Sequence, residues 1–321
     1  MTNASILAAI RELKILVIGD LMLDHYIWGD VHRISPEAPV PIVNVSRESH
    51  TAGGAANVAL NLASLGVAAR VAGTLGEDAA GNKLLGLLGA AGVDTSLCLT
   101  APPRPTIVKT RVIVRNQQLC RIDHEAAASL YSIEASPALL SAIEASDAVI
   151  VSDYAKGVIS QSTLNAILDH AKQHGKTIAI DPKPSSHLKF EGASLITPNR
   201  HEALELAGLA EPRIGEPYPL DQVCRHIQQR HSPELLIITL GADGMAICRD
   251  GKVEQTLPTR ARQVFDVSGA GDTVIATLTA ALTSGLSAED AAKLANLAAG
   301  VVVSRLGTAT VTPEDLLQND F

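Results

Sequence analysis

The sequence predicts an α/β fold in which a doubly wound, mostly parallel sheet is covered by helices, with a small β layer inserted beside it. Short runs of apolar, mostly β-branched residues recur along the chain, and segments with apolar residues at helical spacing lie between them. The runs show no polar alternation, which is typical of strands buried on both faces of a parallel sheet. The clearest runs are 14–19, 148–152, 177–180, 194–197 and 235–239.

Two segments depart from this pattern and predict the inserted β layer. Residues 106–114 alternate between apolar and polar side chains and are followed by a second such run, which indicates an antiparallel hairpin with one exposed face. Residues 26–45 are rich in proline and β-branched residues. We therefore expect a single domain over residues 1–321, with a β layer from about 24–50 and 104–125 that serves as a lid or a subunit contact.

The composition excludes several classes of protein. Of the 321 residues, 46% are hydrophobic and 2% aromatic, and 26 basic against 34 acidic residues give a net charge of −8. An acidic chain with few aromatic rings is a poor partner for nucleic acid. No apolar run approaches the roughly 20 residues that span a bilayer, and no secretory signal is visible, so we expect a cytoplasmic protein without a membrane partner. The four cysteines form no CxxC pair and are expected to be free structural thiols.

Polar or small residues follow nearly every predicted strand. In open parallel sheets, ligands bind outside the carboxyl ends of the strands, so these residues should share one edge of the sheet. Each of them taken alone is equally an ordinary turn residue. The residues in question include Asp20, Asp153, Lys183, Asn199 and Gly241.

The run DVSGAGD at residues 266–272 has the features of an anion site. Gly269 and Gly271 would let backbone N–H groups face a bound phosphoryl group at the positive end of the following helix. Asp272 could then accept the proton of an attacking hydroxyl. The alternative is that Asp272 only caps the helix, because Asp is a favoured capping residue.

A second glycine-rich run, GGAANVA, covers residues 53–59. Gly53 and Gly54 would allow close approach of the backbone to a ligand, and the Asn57 amide can both donate to and accept from a polyol. A tight loop that leads into a helix, with Asn57 in its first turn, explains the same residues equally well.

Other patterns point away from competing functions. His170 and His174 have a spacing that can bind a metal, but the sequence shows no third ligand, and we expect a solvated helix face. No GxGxxG run follows the first strand, which counts against a nicotinamide-dependent dehydrogenase. A sugar- or nucleotide-responsive binding protein is a further alternative, although such a protein has no need of a base at Asp272.

Four motifs, in family order and across essentially the whole chain, resemble the ribokinase-like (carbohydrate kinase) family. GGAANVA and DVSGAGDT resemble its amino-terminal and carboxy-terminal signatures. Residues 198–202 resemble its N-x-x-E element, and residues 239–244 resemble its nucleotide loop. The resemblance implies an ATP-dependent sugar kinase that uses Mg²⁺.

The resemblance also implies a role for individual residues. Asp272 would be the catalytic base, and a monovalent cation could bind near Asp266. Mg²⁺ would be held at Glu202, in part through water, because this ion gives up its hydration reluctantly. The anion hole would consist of Gly269, Ala270 and Gly271. The sugar hydroxyls would contact Asp20, Gly53, Gly54 and Asn57. The ATP site would comprise Lys183, Asn199, Glu202, Thr239, Gly241, Gly244 and Asn296.

Residues 33–41 (RISPEAPVP) and 152–157 (SDYAKG) are similar to the bacterial D-glycero-β-D-manno-heptose-7-phosphate kinases. This similarity implies phosphorylation of the anomeric hydroxyl to the 1,7-bisphosphate, in ADP-heptose synthesis for the lipopolysaccharide core. A kinase for another sugar, sugar phosphate or nucleoside is the alternative. The chain ends soon after the kinase region without an HxGH motif, so we expect the stand-alone form, with a homodimer through the β layer.

The 7-phosphate of such a substrate requires a cation. Lys156 is the first choice because it follows Asp153 at a strand end, and Arg111, Arg115 and Arg121 on the predicted hairpin are further candidates. Arg121 and Asp123 share one face of their strand, which suits sugar binding as well as a surface ion pair.

Overall fold

A computed structural model describes residues 3–115, 117–261, 264–305 and 307–318. Within these ranges the strands are β1 (Lys14–Gly19), β2 (Leu21–Ile34), β3 (Pro41–Gly54), β4 (Ala68–Leu75), β5 (Asp94–Thr100), β6 (Ile107–Val114), β7 (Gln117–His124), β8 (Ala148–Ser152), β9 (Thr177–Asp181), β10 (Leu195–Ile196), β11 (Leu235–Thr239), β12 (Met245–Arg249) and β13 (Lys252–Leu257). The α-helices are α1 (Asn3–Arg11), α2 (Ala55–Ser64), α3 (Ala79–Ala90), α4 (Pro137–Glu144), α5 (Gln161–Gln173), α6 (Arg200–Ala207), α7 (Leu220–His231), α8 (Ala270–Thr283), α9 (Ala288–Val302) and α10 (Pro313–Leu317).

Nine strands form the main sheet, in the order β13-β12-β11-β10-β9-β8-β1-β4-β5. The seven strands from β11 to β5 are parallel, and β12 and β13 add an antiparallel edge. Strand β1 lies between β4 and β8, so the chain builds the sheet outwards from it in both directions. The predicted doubly wound, mostly parallel sheet is confirmed.

The unbroken apolar runs have a direct explanation in the packing, because both faces of the sheet are buried. In β1, Ile15 and Val17 pack into one core with α1, α2, α8 and α9. Leu16 and Ile18 point the other way, into a second core with α4, α5, α6 and α7. Within the described ranges, no helix combines the length and the apolarity that a membrane span requires.

The remaining four strands form a separate small sheet, in the order β3-β2-β6-β7. It lies in the two segments for which the sequence predicted a β layer, and β6 and β7 form the predicted antiparallel hairpin. Arg111 of β6 is opposite Arg121 of β7 and beside Tyr26 of β2, and Lys109 is likewise beside Asp24. Because side chains alternate along strands, one face of the small sheet carries all of these groups.

Two of the cysteines do not match the expectation of free thiols. Cys224 of α7 and Cys248 of β12 form a disulfide with their Cα atoms 6.4 Å apart. Both belong to the same buried core, where α7 packs over the sheet, and their separation of 24 residues along the chain does not reveal this contact. Cys98 and Cys120 are free.

Candidate active site

The carboxyl edge of the main sheet gathers the polar residues that follow the predicted strands. Asp20 directly follows β1, Asp153 follows β8, and Thr239 is the last residue of β11. Asn199 follows β10 and pairs with Thr239 in an isolated parallel bridge. The expectation that these strand ends meet at one edge is thus confirmed, and the start of α8 approaches the same edge, where Gly271 lines a cavity with Asp153 and Thr239.

Asp272 lies in the first turn of α8, with only 2% of its surface exposed. One carboxylate oxygen accepts a hydrogen bond from Asn57 Nδ2 at 2.7 Å, and the other accepts one from the Tyr154 hydroxyl at 2.7 Å. Burial raises the pKa of Asp272 to about 6, although these two hydrogen bonds favour the charged form. The N-cap position of α8 is Gly269, and no side chain caps the helix there, so the capping alternative for Asp272 is wrong.

Asn57 is held in place by a buried polar network between α2 and α8. Asn61 Nδ2 donates to the Asn57 carbonyl at 2.9 Å, and the Thr273 hydroxyl donates to Asn61 Oδ1 at 2.8 Å. Gly269 has φ 79°, and a Cβ at this position would lie 2.7 Å from Asn57 Nδ2. Glycine at 269 therefore serves both the turn and the close approach of α2, and Asn57 positions the carboxylate of Asp272.

Asp20 shapes the loop after β8. Its carboxylate accepts hydrogen bonds from the backbone N–H groups of Tyr154, Lys156 and Val158, at 2.7, 3.1 and 3.1 Å. Burial raises the pKa of Asp20 to about 6, with these bonds opposing the shift. The loop in turn delivers the Tyr154 hydroxyl to Asp272. The expected contact of Asp20 with sugar hydroxyls stays a prediction.

The start of α8 presents two free backbone donors. The N–H groups of Gly271 and Asp272 make no hydrogen bond to any described residue, whereas that of Ala270 donates to the Val267 carbonyl at 3.2 Å. The space beside Gly271 is open, because a Cβ there would meet no atom within 4 Å. Free amides at a helix start attract anions. The anion hole at Gly269, Ala270 and Gly271 stays a prediction, with Gly271 as its best-placed member.

A cavity of about 630 Å³ adjoins these amides and has the size of a small-molecule site. Met245, Val274 and Val303 contribute to its apolar wall. Asn296 also fixes a neighbouring loop, since its amide donates to the Pro258 carbonyl at 2.6 Å. Five residues that were predicted to contact the nucleotide line this one cavity, together with two of the anion loop: Asn199, Thr239, Gly241, Gly244, Asn296, Ala270 and Gly271.

A second cavity of about 260 Å³ shares Asn199, Thr239 and Gly271 with the first. Its own walls are charged, and they are formed by Asp153, Asp181, Lys183 and Glu202. Burial, followed by the nearby charges of Glu202 and Asp272, raises the pKa of Asp181 well above its usual value. One carboxylate oxygen of Asp153 is buried without a hydrogen-bond partner among the described residues. Asp153, predicted to bind substrate, therefore lies in an acidic cavity beside the cavity of about 630 Å³.

Asn199 and Glu202 form a capping box at the start of α6. Asn199 Oδ1 accepts from the Glu202 N–H at 3.0 Å, and Glu202 Oε2 accepts from the Asn199 N–H at 2.9 Å. The other Glu202 oxygen accepts from Lys183 Nζ at 3.0 Å. Both oxygens of Glu202 are thus engaged, which suits the predicted metal contact through water.

Asp24 on the small sheet is a site residue that the sequence analysis missed. It is 4% exposed and accepts a hydrogen bond from Arg111 at 2.5 Å. A Cβ at Gly53 would lie 2.7 Å from Asp24 Oδ2, so a side chain at position 53 would displace this carboxylate. Burial, and to a smaller extent the charge of Asp24, raises the pKa of Asp272. The only sequence signal was a lone acid at the end of the apolar run LML.

Three cations gather around two carboxylates at the end of the same face. Lys156 Nζ lies 2.7 Å from Glu125, Lys109 Nζ lies 3.4 Å from Asp123, and Arg121 Nε lies 2.8 Å from Asp123. Burial and then the charge of Lys156 lower the pKa of Lys109. We call these five residues the basic cluster. Lys109 and Glu125 were missed by the sequence analysis, because only their meeting with Lys156 makes them notable.

Two further predicted residues lie apart from these contacts. Arg115 occupies the turn after β6, outside the basic cluster. Asp266 ties two loops together, since it accepts hydrogen bonds from the N–H groups of Ser268 at 2.9 Å and Gly307 at 3.0 Å. A monovalent cation near Asp266 stays a prediction.

This arrangement suits phosphoryl transfer to a hydroxyl. The buried carboxylate of Asp272 and the N–H groups at the start of α8 lie beside a cavity of about 630 Å³, which is large enough for a nucleotide. The fold and the site thus define a phosphotransferase. Residues 12–315 match the family model described as pfkB family carbohydrate kinase. The chain belongs to this family and is an ATP-dependent sugar kinase.

Individual relatives agree with this assignment. The chain is 46% identical over 312 residues to a protein named Bifunctional protein HldE from Methylobacillus flagellatus. The match covers 95% of this chain and 62% of that relative. It is also 46% identical over 314 residues to the HldE protein of Halorhodospira halophila, with 97% and 64% covered. The chain therefore spans less than two thirds of the length of these relatives. An Arabidopsis thaliana ribokinase complexed with ribose and ATP shares the fold, with a TM-score of 0.77, 21% identity, and 95% and 98% of the two chains covered.

Replacing Asp272 by Asn should abolish the base while keeping the shape of the site. We expect turnover to fall by roughly 10²- to 10⁴-fold, the usual contribution of a positioned base, with the dissociation constant for ATP nearly unchanged. Steady-state kinetics and calorimetric ATP titration measure the two effects. Asp290→Asn is the matched control, because Asp290 lies in the first turn of the neighbouring helix α9 and is exposed. Turnover within a few-fold of the parent in Asp272→Asn would contradict the assigned role.

Replacing Tyr154 by Phe removes a donor that favours the charged form of Asp272. The pKa of Asp272, about 6 in the parent, should therefore rise, so that the base is ionised only at higher pH. The acid limb of the pH profile of kcat/KM should move to higher pH by the same amount. Tyr218→Phe is the control, since the Tyr218 hydroxyl donates to the Arg200 carbonyl instead. An acid limb that stays in place or moves to lower pH would refute the proposed control of Asp272 by Tyr154.

Proposed function

We propose that this kinase transfers the γ-phosphoryl group of ATP to the anomeric hydroxyl of D-glycero-β-D-manno-heptose 7-phosphate. The product would be the 1,7-bisphosphate, an intermediate of ADP-heptose synthesis for the lipopolysaccharide core, made in the cytoplasm, where ATP is available. The observation that carries the proposal is the basic cluster. Its strand residues, Lys109, Arg121 and Asp123, lie on the same face of the small sheet as Asp24 and Arg111, and Lys156 joins them through Glu125. A sugar held by Asp24 can direct a distal phosphate towards these cations. The similarity of residues 33–41 and 152–157 to the heptose kinases supports the same substrate.

The proposed reaction uses Asp272 and the start of α8. The carboxylate of Asp272 accepts the proton of the anomeric hydroxyl as its oxygen attacks the γ-phosphorus and the bond to the leaving ADP oxygen breaks. The free N–H groups of Gly271 and Asp272 stabilise the charge on the transferred group. With a pKa of about 6, Asp272 is largely ionised at neutral pH and is still a competent base.

The acidic cavity fits a magnesium ion bound with the ATP phosphates. Asp153 offers a buried oxygen that has no hydrogen-bond partner in the described part of the chain, and Asp181 is a carboxyl group whose charged form is disfavoured by burial and by the neighbouring carboxylates. Glu202 would contribute through water, because its two oxygens already accept hydrogen bonds. The ion would neutralise phosphate charge, and oxygen ligands with retained water are what Mg²⁺ prefers. Lys183 would supply a further positive charge for the phosphates.

We propose that the small sheet acts as a lid on a single kinase domain. The sugar phosphate would take the place of Glu125 beside Lys156, so that a charge-assisted contact in the free enzyme is exchanged for one with the substrate. In the absence of substrate, Lys156 is paired with Glu125. Its side chain is then 22% exposed, so a substrate can reach it.

Replacing Lys156 by Ala should weaken the contact with the sugar phosphate. Loss of a charged hydrogen bond costs about 1.5–3 kcal/mol, so the Michaelis constant for heptose 7-phosphate should rise roughly 10- to 100-fold while that for ATP changes little. Arg115→Ala is the matched control, because Arg115 is a cation in the turn after β6 that lies outside the basic cluster. An equal effect on both substrates would move Lys156 to the nucleotide site.

A substrate panel tests the choice of sugar directly. Release of ADP is measured with ATP–Mg²⁺ and heptose 7-phosphate, unphosphorylated heptose, ribose or fructose 6-phosphate. We expect heptose 7-phosphate to have the highest kcat/KM, and its lead over unphosphorylated heptose to shrink in Lys156→Ala. If heptose 7-phosphate were no better than ribose or fructose 6-phosphate, the substrate assignment would be wrong although the kinase class would stand.

We further propose a homodimer through the small sheet. Ile122 pairs with Thr110, so alternation puts it on the face opposite Arg111 and Arg121, and it is 57% exposed. Ile34, Val45 and Leu119 of this sheet are exposed as well. Sedimentation should show a dimer that Ile122→Glu dissociates. Ile214→Glu is the control, because Ile214 is fully exposed outside the sheet. A monomeric parent protein, or a dimer that Ile122→Glu leaves intact, would contradict this interface.

A further inference from the structure

Two histidines and a glutamate meet at the edge of the main sheet opposite the active site. Glu144 is the last residue of α4, just before β8 begins. His170 lies in the last turn of α5 and His174 is its C-cap residue, just before β9 begins. The group therefore lies at the amino ends of β8 and β9, whereas Asp153 and Asp181 lie at their carboxyl ends. The kinase site makes no use of it.

The three side chains converge on one point. His170 Nε2 lies 3.0 Å and His174 Nε2 lies 3.6 Å from the same oxygen, Glu144 Oε1. All three potential ligand atoms lie within 4.8 Å of one another. Tetrahedral ligands at about 2.0–2.1 Å from a zinc ion are about 3.3 Å apart, so small side-chain movements would bring these atoms to coordination distance.

The hydrogen bond of His174 fixes the tautomer that a metal ligand needs. His174 Nδ1 lies 2.9 Å from the His170 carbonyl oxygen, which can only accept, so Nδ1 carries the proton. In the neutral ring the lone pair of Nε2 then points to Glu144 Oε1, which is also an acceptor. Two acceptors facing each other are unfavourable, and either a proton on Nε2 or a metal cation between the two atoms removes the conflict. Metal-binding histidines commonly have their second nitrogen fixed in this way.

We propose that Glu144, His170 and His174 form a binding site for a divalent transition-metal ion of the zinc type. Two imidazole nitrogens and one carboxylate oxygen favour Zn²⁺, Co²⁺ or Ni²⁺, whereas Mg²⁺ prefers oxygen ligands alone. The side chain of Glu144 is 48% exposed and that of His174 is 38% exposed, so water can complete the coordination. The bound ion joins the ends of α4 and α5 and acts as a clamp between them.

Titration of the full chain with Zn²⁺ tests the site, with Mg²⁺ as the comparison ion. We expect calorimetry to show one saturable Zn²⁺ site per chain, no Mg²⁺ binding at that site, and a melting temperature that rises with Zn²⁺ concentration. With Co²⁺, visible absorption typical of nitrogen and oxygen ligands should appear. His174→Ala and His170→Ala should each weaken Zn²⁺ binding at least about 100-fold, and Glu144→Gln about 10-fold or more.

The matched control is His32→Gln, which removes an exposed histidine of β2 and should leave Zn²⁺ binding unchanged. Kinase turnover without added Zn²⁺ should be the same in the parent and His174→Ala, which verifies that the variant is folded. Zn²⁺ binding that survives in His174→Ala, or is lost only when the exposed Cys120 is alkylated, would place the ion elsewhere and overturn the proposal. Absence of saturable Zn²⁺ binding in the parent would overturn it as well. The Zn²⁺-binding, melting and Co²⁺ absorption readouts do not depend on the identity of the sugar.

Discussion

The active site depends on one buried carboxylate that is held by neutral donors. A cation beside Asp272 would stabilise its charge more strongly, but it would also lower its pKa and weaken it as a base. The Asn57 amide and the Tyr154 hydroxyl hold both oxygens in position while burial keeps the pKa of the carboxyl near 6. Arg111 is instead paired with a different carboxylate, that of Asp24. The proposed base, Asp272, is thus hydrogen-bonded by neutral groups, whereas Arg111 is paired with another carboxylate.

This constraint explains why distant segments pack at the start of α8. Asn57 reaches Asp272 only because α2 packs against α8, and Gly269 has no side chain that would block the approach. Tyr154 reaches it only because Asp20 holds the loop after β8 by three backbone hydrogen bonds. Asp20 therefore sets the position of the Tyr154 hydroxyl beside Asp272. The burial of its own carboxylate is tolerated because these donors satisfy it.

The sequence predicted those parts of the fold and site that local patterns encode. Continuous apolar runs predicted the parallel sheet, and strand ends with small or polar residues predicted the binding edge. The glycines around Asp272 predicted a helix start, and the structure has α8 beginning there beside a cavity. Tyr154, Asp24 and Lys109 were missed because what singles them out is their contacts with segments far apart in the chain, and local sequence patterns do not reveal those contacts. The disulfide of Cys224 and Cys248 was missed for the same reason.

His170 and His174, at the end of α5, show both what a local sequence pattern predicts and what it misses. Helical spacing alone put His170 and His174 on one face of a helix, and the sequence offered no third ligand. Glu144 supplies the third ligand because α4 and α5, which precede and follow β8 in the chain, pack on the same face of the sheet. A clamp here stiffens the amino edge of the sheet, while the loop that carries Tyr154 is fixed at the other edge by Asp20. Since β8 joins the two edges and is buried along its whole length, we expect the clamp to add stability at the amino edge while the geometry around Asp272 at the carboxyl edge stays the same.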